Sequence, residues 1–309
     1  MKKIVLVVVL FITFFTNAQD KIYQPERDKI NNLVHTKLKV DFNFEKSQLN
    51  GEAWITLIPH FYPTNKVTLD AKAFKINEVK VNNIIAAYNY SDNELTIELN
   101  KTYSKGEEYT VYVNYIARPE EVTQKGSENI KEAKGLYFID PLEEDPEKPT
   151  QIWTQGETEA SSCWFPTIDA PNQKTSQEIY MTVPSKFVTL SNGTLQSQIE
   201  NNNGTRTDYW KMDQKHAPYL FFMGAGEFSV VNDTWNGKKV DYYVEPEYKD
   251  VAKDIFGTTP EMLTFFSNLT GIPYPWDKYS QIVVRDYVSG AMENTTAVVH
   301  GEAAHQKKG

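Results

Sequence analysis

The 309-residue chain is predicted to be mainly β, a β-sandwich or large twisted sheet over most of its length, with a helix and further strands towards the C-terminus. Three observations lead there. Residues 38–115 alternate apolar and polar positions in short runs, the period of half-buried antiparallel strands, whose successive side chains face opposite ways. The runs break at turn chemistry: Asn50-Gly51, Ser91-Asp92-Asn93 and Lys105-Gly106. One stretch, Val251 to Leu269, changes to helical spacing.

In chain order, Lys2 and Lys3 precede the apolar run Ile4 to Phe15 and then Thr16-Asn17-Ala18, which reads as a secretory signal peptide over residues 1–18. The run is shorter than the ~20 residues that cross a bilayer, and no later run suggests a membrane span. Export to a periplasm or the extracellular space is expected. Loss of the two leader lysines takes the formal net charge from −9 to −11. With no Lys/Arg cluster to offset that field, nucleic acid is excluded as a partner. Cys163 is the only cysteine, so internal disulfides are impossible and core packing must hold an exported chain together. Asn-x-Ser/Thr sequons, among them those at Asn89, Asn192, Asn203, Asn232, Asn268 and Asn294, are expected by chance in an Asn-rich sequence.

The strand pattern runs through Leu38, Val40, Phe42 and Phe44, then Leu95, Ile97 and Leu99, then Tyr109, Val111, Val113 and Tyr115. Residues 120–150, with "PLEEDPEKPT", are expected to be a solvated loop. "SQEIYMTVPSKFVTLSNGTL" and "YLFFMGAGEFSVVND" resume the sheet up to about residue 235. Met262, Phe265, Phe266 and Leu269 then share one helical face, with Thr259 placed to cap the helix and Pro260 in its first turn. "PYPWDKYSQIVVRDYVSGAMENTTAVV" supplies two β-branched strands. A boundary near residue 240 divides residues 19–239 from 240–309.

The pentad Gly290-Ala291-Met292-Glu293-Asn294 is the sharpest signal, and it does not stand alone. In "WTQGETEASSCWFPTIDAP" the residues Thr154, Gln155, Glu157, Phe165, Pro166, Asp169 and Pro171 occupy recurring positions of one block, and "PYLFFMGAGEF" and "PYPWDKY" add two more. In order and spacing the chain resembles, over residues 30–302, the aminopeptidase N family of zinc metallopeptidases. The resemblance implies a saddle-like β-rich N-terminal domain over residues 19–239, followed by the first strands and helix of an incomplete thermolysin-like α+β catalytic domain over 240–309.

The family's substrates are peptides with a free N-terminus. Recognising one requires carboxylates where the first nitrogen lies, since an ammonium–carboxylate hydrogen bond is strong and an internal residue lacks its donor. The resemblance assigns Glu293 as the principal carboxylate, with Glu157 and the side-chain oxygen of Gln155 completing the cage. It further assigns the backbone of Gly290, Ala291 and Met292, in the pentad closed by Asn294, to pairing with the extended substrate as an added strand. Taken singly, a loop Glu is usually a solvated charge and a Gln usually bonds backbone; the agreement of several motifs carries the assignment. Cys163, ahead of Trp164-Phe165 and with no cation nearby in sequence, reads as a buried structural thiol rather than a nucleophile. The 18 Tyr and 6 Trp residues could make a sugar platform, but at period two they are expected in the core.

The family's Zn2+ needs His-Glu-x-x-His on a helix. Here His35 precedes Thr, His60 Phe, His216 Ala, His300 Gly and His305 Gln. "HGEAAH" spaces its histidines five apart, which on a helix would turn them about 140° from each other. It is expected to be an exposed tail. The chain therefore reads as the N-terminal part of an exported aminopeptidase that holds the α-amine site, binds no zinc and is inactive alone. The alternative is a non-catalytic extracellular module that binds peptides or a protein. Apolar faces within residues 240–309 are expected to be exposed and prone to aggregate.

Overall fold

A computed structural model describes residues 27–123, 126–127 and 130–307. The leader expected at residues 1–18 lies outside them. The first half of the chain forms β1 (Asn31–Asn43), β2 (Gln48–Pro59), β3 (Thr64–Asp70), β4 (Phe74–Val81), β5 (Ile84–Ile85), β6 (Tyr88–Ser91), β7 (Glu94–Tyr103) and β8 (Tyr109–Ala117). There follow β9 (Leu136–Ile139), β10 (Gln151–Thr154), β11 (Thr175–Pro184), β12 (Val188–Ser191), β13 (Thr194–Glu200), β14 (Thr205–His216) and β15 (Met223–Gly226). The last part holds β16 (Ser229–Trp235), β17 (Lys238–Val244), α1 (Ala252–Phe256), α2 (Thr259–Thr270), β18 (Lys278–Val284), β19 (Ala291–Met292) and β20 (Ala297–Gly301).

The chain is mainly β, as its alternation predicts. An eight-stranded sheet, in the order β13-β14-β11-β1-β2-β8-β4-β5, lies with a three-stranded sheet, β3-β7-β6. Strand β2 reads buried at every second residue, and Ala53, Ile55 and Leu57 enter the same core as Val67 and Leu69 of β3. Most pairs are antiparallel, but β1 runs parallel to β11, with Leu38 opposite Ile179. A four-stranded sheet, β12-β15-β10-β9, termed the second sheet, and a five-stranded sheet, β16-β17-β18-β20-β19, termed the third, follow. In β18 alternation divides two cores: Ile282 and Val284 join the main one, while Val283 faces a smaller cluster with Trp235, Tyr242, Ala252 and Phe256.

Four local expectations are corrected. Residues 120–150 are not one loop, because the short run Leu136–Ile139 forms β9 against β10. The helical stretch divides into a 3-10 turn (Pro246–Val251), α1 and α2. Thr259 does not cap α2: it is the first helical residue, and its hydroxyl donates back to the Phe256 carbonyl at 2.7 Å. The "HGEAAH" segment is not an exposed tail, since His300 lies in β20 and His305 packs face to face on Tyr248 at 4.0 Å.

On the outer face of the large sheet, Tyr180 and Tyr209 stack at 4.2 Å, and the Lys37 ammonium lies over both Trp54 and Tyr180. These ring faces are covered by each other and by a lysine. Most of the other aromatics, including Trp153, Trp164, Tyr109 and Tyr115, are buried.

Candidate functional site

The site is assembled where the second sheet meets the third. The side chain of Gln151 in β10 accepts from the Arg285 N–H at 2.9 Å, and the Trp153 indole N–H donates to the Arg285 carbonyl at 3.0 Å. These two bonds fasten β10 beside the segment that leads from β18 to the pentad. Arg285 is fixed from its other side by a two-point ion pair to the buried Glu245, at 2.6 and 2.7 Å.

Gln155 leaves β10 with its N–H donating to the Gly135 carbonyl at 2.9 Å. Its side chain is 1% exposed, and its Oε1 accepts from the Tyr287 hydroxyl at 3.0 Å. Gly156 must be glycine, because a Cβ there would lie 2.4 Å from the Tyr219 carbonyl oxygen. The close approach lets the chain turn and present Glu157, half-buried, three residues after β10 closes. Phe165, Cys163 and Asp169 lie beneath as support rather than at a surface. Burial pushes the Asp169 carboxyl up to about 7, opposed by the Ser162 N–H that donates to it at 2.8 Å. Burial likewise pushes the Cys163 thiol up to about 12, which disqualifies it as a nucleophile near neutrality.

The pentad forms the edge of the third sheet. Ala291 pairs with His300 and Met292 with Val299, and no described strand lies on the outer side of β19. Around Gly290 an added Cβ would meet nothing, so the backbone is open to an approaching chain. The side chains alternate: Ala291 and Glu293 are exposed, whereas Met292 enters the core and Asn294 is 1% exposed with its amide donating to the Phe221 carbonyl at 3.4 Å. Of the pentad, then, Glu293 is the acid that faces outward, and Asn294 is turned in to hold the loop.

Tyr287 joins the two halves, and nothing in the sequence singled it out. It lies three residues before Gly290, is 8% exposed, and packs edge-on against Trp153, which stacks on Tyr137 at 4.0 Å. Burial raises its hydroxyl above the ordinary tyrosine range, and the neighbouring Tyr137, Glu157 and Glu293 reinforce the shift. Gln155 thus bonds a phenol that also feels the charges of Glu157 and Glu293. Gln155 is the one candidate with a hydrogen bond to this side chain; Glu157 and Glu293 act on it through their charge alone.

For a metal the residues present do not fit. His300 Nε2 is bonded to Gln281 Oε1 at 3.1 Å and His305 is stacked on Tyr248. Among the described residues no group of three or more His, Cys, Asp or Glu is placed to hold an ion.

Comparison with known proteins decides the family. Residues 28–220 match the peptidase M1 N-terminal domain, and residues 255–305 match the peptidase family M1 domain. The chain belongs to the peptidase M1 family. Among M1 relatives, endoplasmic reticulum aminopeptidase 1 of Rattus norvegicus is 28% identical over 200 residues, covering 64% of this chain and 20% of that protein. Aminopeptidase M1 of Arabidopsis thaliana is 31% identical over 172 residues, 55% of this chain and 19% of the relative. Transcription initiation factor TFIID subunit 2 of Danio rerio is 22% identical over 273 residues, 78% of this chain and 23% of the relative. The chain spans about a fifth of the length of the curated relatives it matches. M1 enzymes are zinc metallopeptidases, and no helix among the described residues is long and apolar enough to cross a membrane.

Proposed function

We propose that this chain captures the free α-ammonium end of peptides at the β19 edge, as the amine-recognition portion of an exported M1 aminopeptidase. The observation that carries the reading is the outward-facing Glu293 on the open β19 edge beside Gly290, with the Gln155–Tyr287 hydrogen bond joining the β10 segment to the stretch that leads to it. The Glu293 carboxylate accepts from the ammonium. Glu157 adds a second negative charge, and Gln155, buried and bonded to the Tyr287 hydroxyl, supports the site from beneath rather than facing the ligand. The open side of Gly290, Ala291 and Met292 offers N–H and C=O groups to an extended peptide. An internal residue has no ammonium to place there, so end selection follows from charge and geometry together. The division at residue 240 goes with this reading, with the β16–β17 hairpin straddling it. The leader over residues 1–18 would deliver the protein outside the cytoplasm.

Because the sequence holds no His-Glu-x-x-His, the chain alone is expected to bind peptide without cleaving it. The test is calorimetric titration of a tripeptide such as Ala-Ala-Ala against the wild-type chain and Glu293→Gln. The substitution keeps the shape and removes the charge. We expect affinity for the free-amine peptide to fall about tenfold or more, and the affinity of its N-acetyl form to stay put. Equal loss for both peptides would refute the role given to Glu293.

A second reading is a binding module without catalysis. It is favoured by the likeness to a transcription factor subunit, which covers more of the chain than either aminopeptidase match above. That reading predicts that a protein or peptide ligand binds whether or not its N-terminus is blocked.

A further inference from the structure

The chain leaves the pentad through a β-turn, Asn294–Ala297, closed by the Ala297 N–H donating to the Asn294 carbonyl at 3.0 Å. The third residue of that turn, Thr296, takes φ 67°. Glycine and asparagine adopt this left-handed backbone readily, whereas a β-branched residue does so only when its surroundings compel it. Here the surroundings do. Thr296 Oγ1 accepts from the Gly193 N–H at 2.8 Å, and its carbonyl accepts from Lys278 Nζ at 2.8 Å and from the Ser280 N–H at 3.0 Å. One residue earlier, the Thr295 carbonyl accepts from Asn192 Nδ2 at 2.6 Å.

The partners are themselves fixed. Asn192, fully buried, also donates to the Leu220 carbonyl and accepts from the Phe222 N–H at 2.7 Å. Lys278, 3% exposed, donates from the same ammonium to the Ser191 carbonyl at 3.0 Å. Gly193 takes φ 73°, and a Cβ there would lie 1.9 Å from the Lys211 carbonyl oxygen, so no other residue fits. Asn192 and Gly193 follow β12 of the second sheet, and Lys278 opens β18 of the third. The turn that follows Glu293 is thereby locked to the sheet from which the segment of Gln155 and Glu157 emerges.

We propose that Asn192, Gly193, Lys278 and Thr296 are positioning residues that hold Glu293 in register with Gln155 and Glu157, so that amine selectivity depends on side chains remote from the ligand. The inference rests on reading Glu293 as the amine anchor. A fold needing only stability at this place would seat glycine in the left-handed position; a threonine there trades backbone comfort for the bond to Gly193.

The test compares the wild-type chain with Thr296→Gly, Thr296→Ser and Asn192→Ala. Glycine accepts φ 67° without strain but loses the hydroxyl anchor, so this variant is expected to stay folded; serine restores the anchor. Hydrogen exchange of residues 290–296 should quicken about tenfold in Thr296→Gly and Asn192→Ala, with the large sheet unchanged. The preference for Ala-Ala-Ala over its N-acetyl form should fall towards unity, and Thr296→Ser should recover both properties. Unchanged exchange and unchanged preference in Thr296→Gly would overturn the proposal, as would faster exchange throughout the chain. If the wild type itself shows no preference, the anchor reading fails separately and exchange alone judges the joint: a change confined to 290–296 and reversed by serine upholds it, and no change removes it.

Discussion

At the scale of single residues, the candidate site rests on side chains whose hydrogen-bonding roles differ although their names look alike. Glu293 faces outward, whereas Asn294, its neighbour in the same pentad, is turned into the core. Motif reasoning reached Gln155, Glu157 and Glu293 because their types and spacing recur together. It missed Tyr287, since a tyrosine in "VVRDYVSG" looks like any core aromatic, and only the fold shows that its hydroxyl ends on Gln155. Tyr287→Phe should therefore leave Gln155 Oε1 without its buried donor, costing about 1–3 kcal/mol of stability by denaturant unfolding, and should weaken the preference for free amines. Stability unchanged within error would mean the bond contributes nothing.

Lys278 gives a second prediction at this scale. Burial lowers its ammonium to about 7, against the pull of Asp241 and Asp277, while in the unfolded chain it stays protonated to near 10.5. Between those values the unfolded state binds more protons, so this group makes the fold more stable as pH rises, by at most about 1.4 kcal/mol per unit. Its contribution is least below pH 7, where both states are charged and the folded one carries the buried charge. The stability of the wild type minus that of Lys278→Met, a difference in which the titrations of Asp169 and Cys163 cancel, should grow as pH rises from 7 to 9. A difference that does not grow with pH there would show that the ammonium is not desolvated as described.

At the scale of elements, β19 and α2 show what periodicity can and cannot tell. The two-residue edge strand is too short to carry a period, yet it is the element that leaves an open edge beside Gly290. For α2 the apolar face was legible: Met262, Phe265, Phe266 and Leu269 share it and are 54–68% exposed, while Leu263 turns towards the smaller core. Sequence spacing identifies a face but not what lies against it. The cap was misjudged because Thr259 and Thr258 are adjacent, and a hydroxyl bonded to Phe256 decides the register. The exposed face should drive self-association. We expect Phe265→Lys with Leu269→Lys to shift the chain from aggregate to monomer in size-exclusion chromatography at micromolar concentration, with the melting temperature little changed. A wild-type chain that is already monomeric would contradict this.

At the scale of the whole molecule, the mainly β architecture followed directly from alternation, because a strand buried on one face must repeat every two residues. The parallel pairing of β1 with β11 did not, since register between strands about 140 residues apart leaves no local trace. The same limit hid the site: Gln155 and Tyr287 are 132 residues apart in sequence and meet only because Gln151 and Trp153 fasten β10 to Arg285. The family motifs supplied the residues, and the bonds between β10 and the Arg285 segment supplied the convergence of the two stretches that hold them. The central claim is that this convergence reads a free α-ammonium. Calorimetric titration of the wild-type chain with Ala-Ala-Ala and with N-acetyl-Ala-Ala-Ala at pH 6.5 tests it most directly. The account predicts that the free-amine peptide binds about ten- to a hundredfold more tightly, as a charge-assisted hydrogen bond of about 1.5–3 kcal/mol requires; equal affinity for the two peptides would contradict it.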